Sequence, residues 1–217
     1  STEKIREGVI MAAKSNFKNM ALCLSLTCFV CAAVLGGVYA VTAAPIEVTN
    51  AQILKASIGK VLPEGGEISD AVPFEVGGKP SEYYLCTKDG KSIAYAVKSS
   101  TVGFSGVLTL IVGVLADGTV YNTSVYSHSE TPGLGAKCET DEKFISQWRN
   151  LKPESADGAK DGKILKVKKD NGDIDAITAS TITSRAYTLA VKNAVEAVRG
   201  LVSKAAEENQ EGGTDNE

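Results

Sequence analysis

Asp175-Ala176-Ile177-Thr178-Ala179-Ser180-Thr181-Ile182-Thr183-Ser184 is the stretch on which the reading of this chain turns. Hydroxyls stand at 178, 180, 181, 183 and 184, and the run leads straight into helical periodicity from Arg185 to about Ala206. A helix start leaves its first backbone N–H groups unpaired and carries the positive end of the helix dipole. Such a start reads in two ways. It is an N-cap with spare hydroxyls, or it is a cradle for a phosphate. Local chemistry leaves both open.

Working outward, the segment after Ser184 is amphipathic. Polar Arg185, Lys192, Glu196, Arg199 and Ser203 alternate with Leu189, Val191, Val195, Val198 and Val202, the pattern of a helix with one buried stripe. Upstream the period shortens to two. Tyr83–Lys88, a turn at Asp89-Gly90 and Ser92–Lys98 read as one hairpin. Gly106–Leu115, a turn at Asp117-Gly118 and Val120–Tyr126 read as a second. Further strands are expected at Ile164–Lys168 and Ile174–Ile177 around the turn Asp170-Asn171-Gly172, and a short helix at Asp141–Trp148. Residues 66–81, rich in Gly and Pro, read as a loop. The fold class is α+β: an antiparallel sheet packed by helices.

The N-terminal quarter has another composition. No charged residue occurs between Asn19 and Ile46, and Met20–Val41 is long enough to cross a bilayer. Lys4, Arg6, Lys14 and Lys18 precede it, so the positive-inside rule puts the N-terminus in the cytoplasm and the remainder outside. A cleaved signal peptide is the rival, with small residues at Val41-Thr42-Ala43-Ala44, but its apolar core would be shorter. The expected layout is a cytoplasmic amphipathic segment at 1–18 lying along membrane lipid, and a transmembrane helix at 19–44 ended by Pro45. An extracytoplasmic domain at 45–206 opens with a short helix capped by Asn50, and a disordered acidic tail follows at 207–217. This places the chain in the cell inner (cytoplasmic) membrane as a single-pass protein.

Cys23, Cys28 and Cys31 lie inside the apolar span; they read as small packing residues, with a metal or cluster role as the alternative. Cys86 and Cys138 lie beyond it, where a disulfide is chemically possible and spacing does not decide it. The formal charge of −3 carries no basic footprint for nucleic acid. One His and no nucleophile–base cluster leave little for acid–base catalysis. That His opens an irregular segment, His128-Ser129-Glu130-Thr131-Pro132-Gly133-Leu134-Gly135-Ala136-Lys137, whose Gly and Pro residues fix a tight backbone that a flat ligand can approach.

Taken together, Gly103-Phe104-Ser105-Gly106, Glu130-Thr131-Pro132-Gly133-Leu134-Gly135 and Asp175 to Thr181 resemble the FMN-binding domain of the G subunit of Rnf electron-transport complexes. The C subunit of the sodium-translocating NADH:quinone reductase is a relative of that family. The resemblance covers nearly the whole chain. It implies FMN joined through its phosphate, as a phosphoester, to the Thr that ends a Ser/Thr-Gly-Ala-Thr pattern; here the pattern is Thr178-Ala179-Ser180-Thr181 and the acceptor Thr181. Ala179 stands where Gly is usual and Ser180 where Ala is usual. Asp175 matches the acidic residue read by the flavin transferase. Thr178, Ser180 and Thr183 are expected at the phosphate or ribityl chain and the Thr131–Gly135 loop against the ring. Lys137 or His128 is expected near reduced flavin, with Trp148 and Phe104 as core-or-site alternatives.

The implied function is one redox relay in a ferredoxin:NAD oxidoreductase coupled to Na+ or H+ movement, a translocase subunit not catalytic alone. Implied partners are the other membrane subunits, including a second FMN-carrying subunit, and iron–sulfur subunits. The quinone-reductase C subunit, a membrane-anchored flavin sensor and a plain anchored scaffold are the competing readings.

Overall fold

The computed structural model describes residues 17–155 and 161–211, with side chains to residue 205. The chain divides into two units, Ser1–Ala51 and Gln52–Glu217. The expected amphipathic segment at 1–18 falls almost wholly outside the described residues.

The first unit consists, among described residues, of the greater part of helix α1, Phe17–Val61. Leu22, Leu24, Phe29, Leu35, Tyr39 and Val41 are all exposed, and this is the one described helix long and apolar enough to cross a membrane. Cys23, Cys28 and Cys31 are exposed free thiols along it. The expected stop at Pro45 is corrected: α1 runs through Pro45 and through Asn50, which is no N-cap. Proline forfeits one backbone bond, that to the carbonyl four residues back. The carbonyl so freed is that of Val41; the nearby hydroxyls of Thr42 and Thr49 donate elsewhere, to Val38 O at 2.8 Å and Pro45 O at 2.9 Å.

The second unit is a six-stranded antiparallel sheet with a helix on each face. Its strands are β1 (Glu67–Ile68), β2 (Val72–Val76), β3 (Lys79–Lys88), β4 (Lys91–Val102), β5 (Val107–Leu115) and β6 (Val120–Ser127). The order is β1-β3-β4-β5-β6, with β2 also paired to β3. Both expected hairpins are present. Three expectations fail. Residues 66–81 are not a loop: β1, β2 and the start of β3 lie there, because backbone pairing with β3 outweighs the Gly/Pro bias. Ile164–Lys168 and Ile174–Ile177 are not strands; a single Val167–Ile174 bridge and a 3-10 turn at Lys168–Asp170 replace them. The last helix continues to Glu211, past the expected start of a disordered tail at 207.

Strand β5 shows why the sheet is buried on both sides. Leu108, Leu110, Val112 and Val114 point into the larger core with α4 (Thr181–Glu211). Ile111, on the other face, packs with Ile58, Val61 and Leu62 at the end of α1. The alternation follows from the two-residue strand period. On β4 the same rule aims Ser99 and Thr101 at α4, where they donate to the carbonyls of Ala190 (2.8 Å) and Ala186 (2.9 Å). Two short helices, α2 (Lys137–Thr140) and α3 (Glu142–Ser146), close one end of the larger core. There Trp148 stacks on Tyr187 at 5.2 Å between centroids, a core residue rather than a site residue. Leu189, expected on the buried stripe of α4, is exposed.

Gly113 is where helix and sheet come closest. An added Cβ would overlap the Val61 carbonyl, a backbone group that cannot turn aside. Gly113→Ala is expected to destabilise the chain by about 2–3 kcal/mol, the cost of overpacking. The urea midpoint of the full chain checks this, with the slope unchanged; a cost below about 0.5 kcal/mol would mean the helix end slides freely.

Cys86 and Cys138 are free, and each belongs to a different core cluster. Burial pushes the Cys86 thiol above its ordinary range. Cys138 is pushed to about 12 by burial, with Glu130 and Glu139 adding to it. Both therefore stay protonated thiols.

Candidate functional site

The residues around Thr181 are set by a turn and three braces. Ser180 N donates to Ile177 O at 3.0 Å, closing a turn whose third residue, Ala179, has φ +62°. That left-handed position is one a Cβ disfavours by about 1–2 kcal/mol, which explains why glycine suits it. Ser184 Oγ accepts from Ile177 N and donates to Ser180 O, both at 2.9 Å, so it locks the turn to the first turn of α4. The Gln147 side chain grips the backbone of Asp175, accepting from its N–H at 2.9 Å and donating to its carbonyl at 3.1 Å. Asp175 itself pairs with Lys168 at 2.9 Å, which holds its carboxyl below the usual range.

Ala179→Gly relieves the left-handed strain while losing about 0.5–1 kcal/mol to the extra freedom of the unfolded chain. A net gain of about 0.5–1 kcal/mol in urea unfolding is expected. A loss would mean that the Ala179 methyl contributes packing at the site.

The second segment is organised by one carboxylate. Glu130 is buried, and its Oε1 accepts from Phe104 N at 2.7 Å and Ser105 N at 3.3 Å. Its Oε2 accepts from Thr183 Oγ1 at 2.8 Å. Glu130 thus ties the 103–106 turn, its own loop and the first turn of α4. Gly103 and Gly135 are needed beside it, since a Cβ at either would run into its carboxylate oxygens. Ser105 and Thr131 share a hydroxyl hydrogen bond at 3.2 Å, and Gly133, with φ +76°, turns the loop.

These segments meet around a cavity of about 330 Å3. Phe104, Leu134 and Ile182 form its apolar rim, exposed at 69%, 46% and 49%. Glu130, Thr131, Gly135, Ala179, Ser180, Thr181 and Thr183 complete the lining. Two details give the site its polarity. The Ser180 hydroxyl is buried and has no hydrogen-bond partner, which is costly for a polar atom. Lys169 Nζ donates to Thr181 Oγ1 at 3.1 Å.

Not every expected site residue is in the lining. Thr178, Pro132, Gly133 and Lys137 do not line this cavity. His128 braces the loop instead: Nδ1 accepts from Glu130 N at 3.1 Å, and Nε2 faces Glu139 at 3.4 Å.

Residues 103–196 match the FMN-binding domain family. The G subunit of the proton-translocating ferredoxin:NAD(+) oxidoreductase complex of Clostridium ljungdahlii is 36% identical over 176 residues, 81% of this chain and 88% of that protein. The chain belongs to the G-subunit family of Rnf-type ion-translocating oxidoreductase complexes. A second member, from the ion-translocating oxidoreductase complex of Erwinia tasmaniensis, is 43% identical over 129 residues, covering 57% of this chain and 60% of that protein. Among solved structures, NqrC of Shewanella oneidensis aligns with a TM-score of 0.47 at 20% identity, over 66% of this chain and 71% of that one.

Within this G-subunit chain, two lining or contacting residues escaped the sequence reading. Ile182 is an apolar residue off the buried stripe of its helix, a signal that was present in the sequence. Lys169 lies twelve positions before Thr181 in a turn, and nothing in local pattern points from one to the other.

The residues present fit a flavin phosphate. The unpartnered Ser180 hydroxyl, the Lys169 ammonium and the start of α4 supply donors and positive potential at one place. The Glu130 carboxylate, with both oxygens engaged by donors, is structural there.

Proposed function

We propose that this chain is a membrane-anchored electron-transfer subunit that carries FMN as a phosphoester on Thr181, in an Rnf-type complex coupled to ion translocation. The observation that carries the reading is the convergence of 130–135 and 179–183 on one cavity, with an orphaned hydroxyl beside Thr181. Support for the complex comes from the family to which the chain belongs.

Bound FMN would supply the electron chemistry. The chain's own residues do the rest. Thr181 presents its oxygen at the first turn of α4. Ser180 offers an unused hydrogen bond, and Thr183 holds the Glu130 loop in place. Phe104, Leu134 and Ile182, the apolar rim of the cavity, would lie against a flat ring and keep water from it. Thr131 and Gly135 form the floor of the loop, while Thr178 and Asp175 lie outside the cavity, available to a flavin transferase. Helix α1 holds the site at the membrane, with the N-terminus on the cytoplasmic side and the FMN domain at 45–206 outside.

The test is a denaturing gel viewed under ultraviolet light. Chain made together with a flavin transferase gives a fluorescent band at its mass of 22.7 kDa. A dark band from that preparation rejects covalent flavin. Subunits that copurify with the chain separate an Rnf complex from a quinone reductase.

A further inference from the structure

We infer that Lys169 is the counter-charge that holds the phosphate on Thr181. The inference rests on Thr181 being the attachment residue and goes beyond it by assigning a residue outside the cavity lining.

Lys169 sits in the middle of the 3-10 turn Lys168–Asp170, and both neighbours clamp that turn to the site. Asp170 accepts two hydrogen bonds from Arg185 on α4, at 2.7 and 2.6 Å. Lys168 pairs with Asp175 at 2.9 Å. The turn is thereby anchored to the helix that begins with Thr181 and to the segment that leads into it. Asn171, at φ +58°, ends the turn.

Between two matched charges, Lys169 has only a hydroxyl. Among the described residues no carboxylate pairs with it, and its ammonium donates to Thr181 Oγ1. An ammonium aimed at a neutral hydroxyl is a weak use of a charge. An ester at that oxygen replaces the hydroxyl proton with a phosphate whose non-bridging oxygens carry negative charge within reach of the ammonium. The contact then passes from a hydrogen bond with one ionised partner to one in which both partners are charged, the stronger case. The buried, unpartnered Ser180 hydroxyl on the adjacent residue independently marks the place as built for an acceptor. Lys169 is a positioning residue for the phosphate; it reaches Thr181 from outside and is not itself among the residues lining the cavity.

The test is a thermal cycle on the full chain in detergent, made with and without a flavin transferase. Lys169→Gln is expected to lower the midpoint of the flavin-loaded chain by about 3 °C more than that of the unloaded chain, the shift expected of about one charge-assisted contact in a chain this size. Molar salt should erase the difference by screening, Lys169→Arg should restore it, and Lys166→Gln should leave both midpoints in place. Equal shifts in loaded and unloaded chain overturn the proposal. So does a loss that arginine fails to restore. Should Lys169→Gln take up no flavin while Lys169→Arg does, the charge is needed at the phosphate and the proposal stands; uptake by neither overturns it. Absence of flavin from the unmodified chain is a separate result, and it rejects the flavin reading itself.

Discussion

Thr181→Ala is expected to abolish the covalent flavin band while leaving the fold intact. Thr181 Oγ1 makes one contact, the exposed hydrogen bond from Lys169, so its loss costs stability within about 0.5 kcal/mol. Ser180→Ala separates the two adjacent hydroxyls. Its Oγ is buried without a partner, so deleting it is neutral or stabilising by up to about 1 kcal/mol. The band is expected to persist in that variant. The stability data matter as much as the fluorescence, because a dark band from an unfolded chain says nothing about attachment. A band that survives Thr181→Ala and vanishes with Ser180→Ala moves the attachment to residue 180.

The backbone around these residues explains why the pair can be told apart. Ser184 and Gln147 fix the turn from outside the cavity, through Ile177, Ser180 O and Asp175. Neither Thr181 nor Ser180 uses its hydroxyl to hold the turn. The Ser180 hydroxyl is left without a partner, and that of Thr181 is reached by a cation. A plain N-cap would spend the Ser180 hydroxyl on the helix's own N–H groups; here it does not. That single difference weakens the capping reading, which local chemistry alone favours.

The parts of the fold that were legible in the sequence are those written in periodicity. The β3–β4 and β5–β6 hairpins carry alternating residues around Asp-Gly turns, and α4 carries a helical stripe. The parts that were illegible depend on pairing between distant residues. Strand β2 exists because Val72–Val76 lies against Lys79–Tyr83, although its own composition reads as loop. Residues 164–177 have strand-like composition but are held by a bridge, a 3-10 turn and the Asp173 side chain, which accepts from Ile164 N at 2.7 Å. Helix α1 passes Pro45, where a single missing backbone bond does not end it. At the site, the motif residues Glu130, Thr131, Gly135 and Ala179–Thr183 converge. His128 and Lys137 do not join them, because charge and proximity in sequence say nothing about which way a loop side chain turns.

Glu130 carries the largest expected effect on stability. Glu130→Ala strands three donors, Phe104 N, Ser105 N and Thr183 Oγ1, in a space shaped by Gly103 and Gly135 to admit a carboxylate. Each buried donor left unpaired costs about 1–3 kcal/mol. Water entering the space recovers part of this, so a net loss of about 3 kcal/mol is expected. Glu130→Gln should cost about 1 kcal/mol, because its amide oxygen keeps the two backbone donors and the Thr183 hydroxyl can rotate to accept from its NH2. The 103–106 turn, the 130–135 loop and the start of α4 are held to one another at this carboxylate, so the alanine variant should also lose most of its fluorescent band while the glutamine variant keeps it. Urea midpoints and in-gel fluorescence measure the two effects. Equal costs for Ala and Gln would show that the negative charge, and not the acceptor geometry, holds the three segments together.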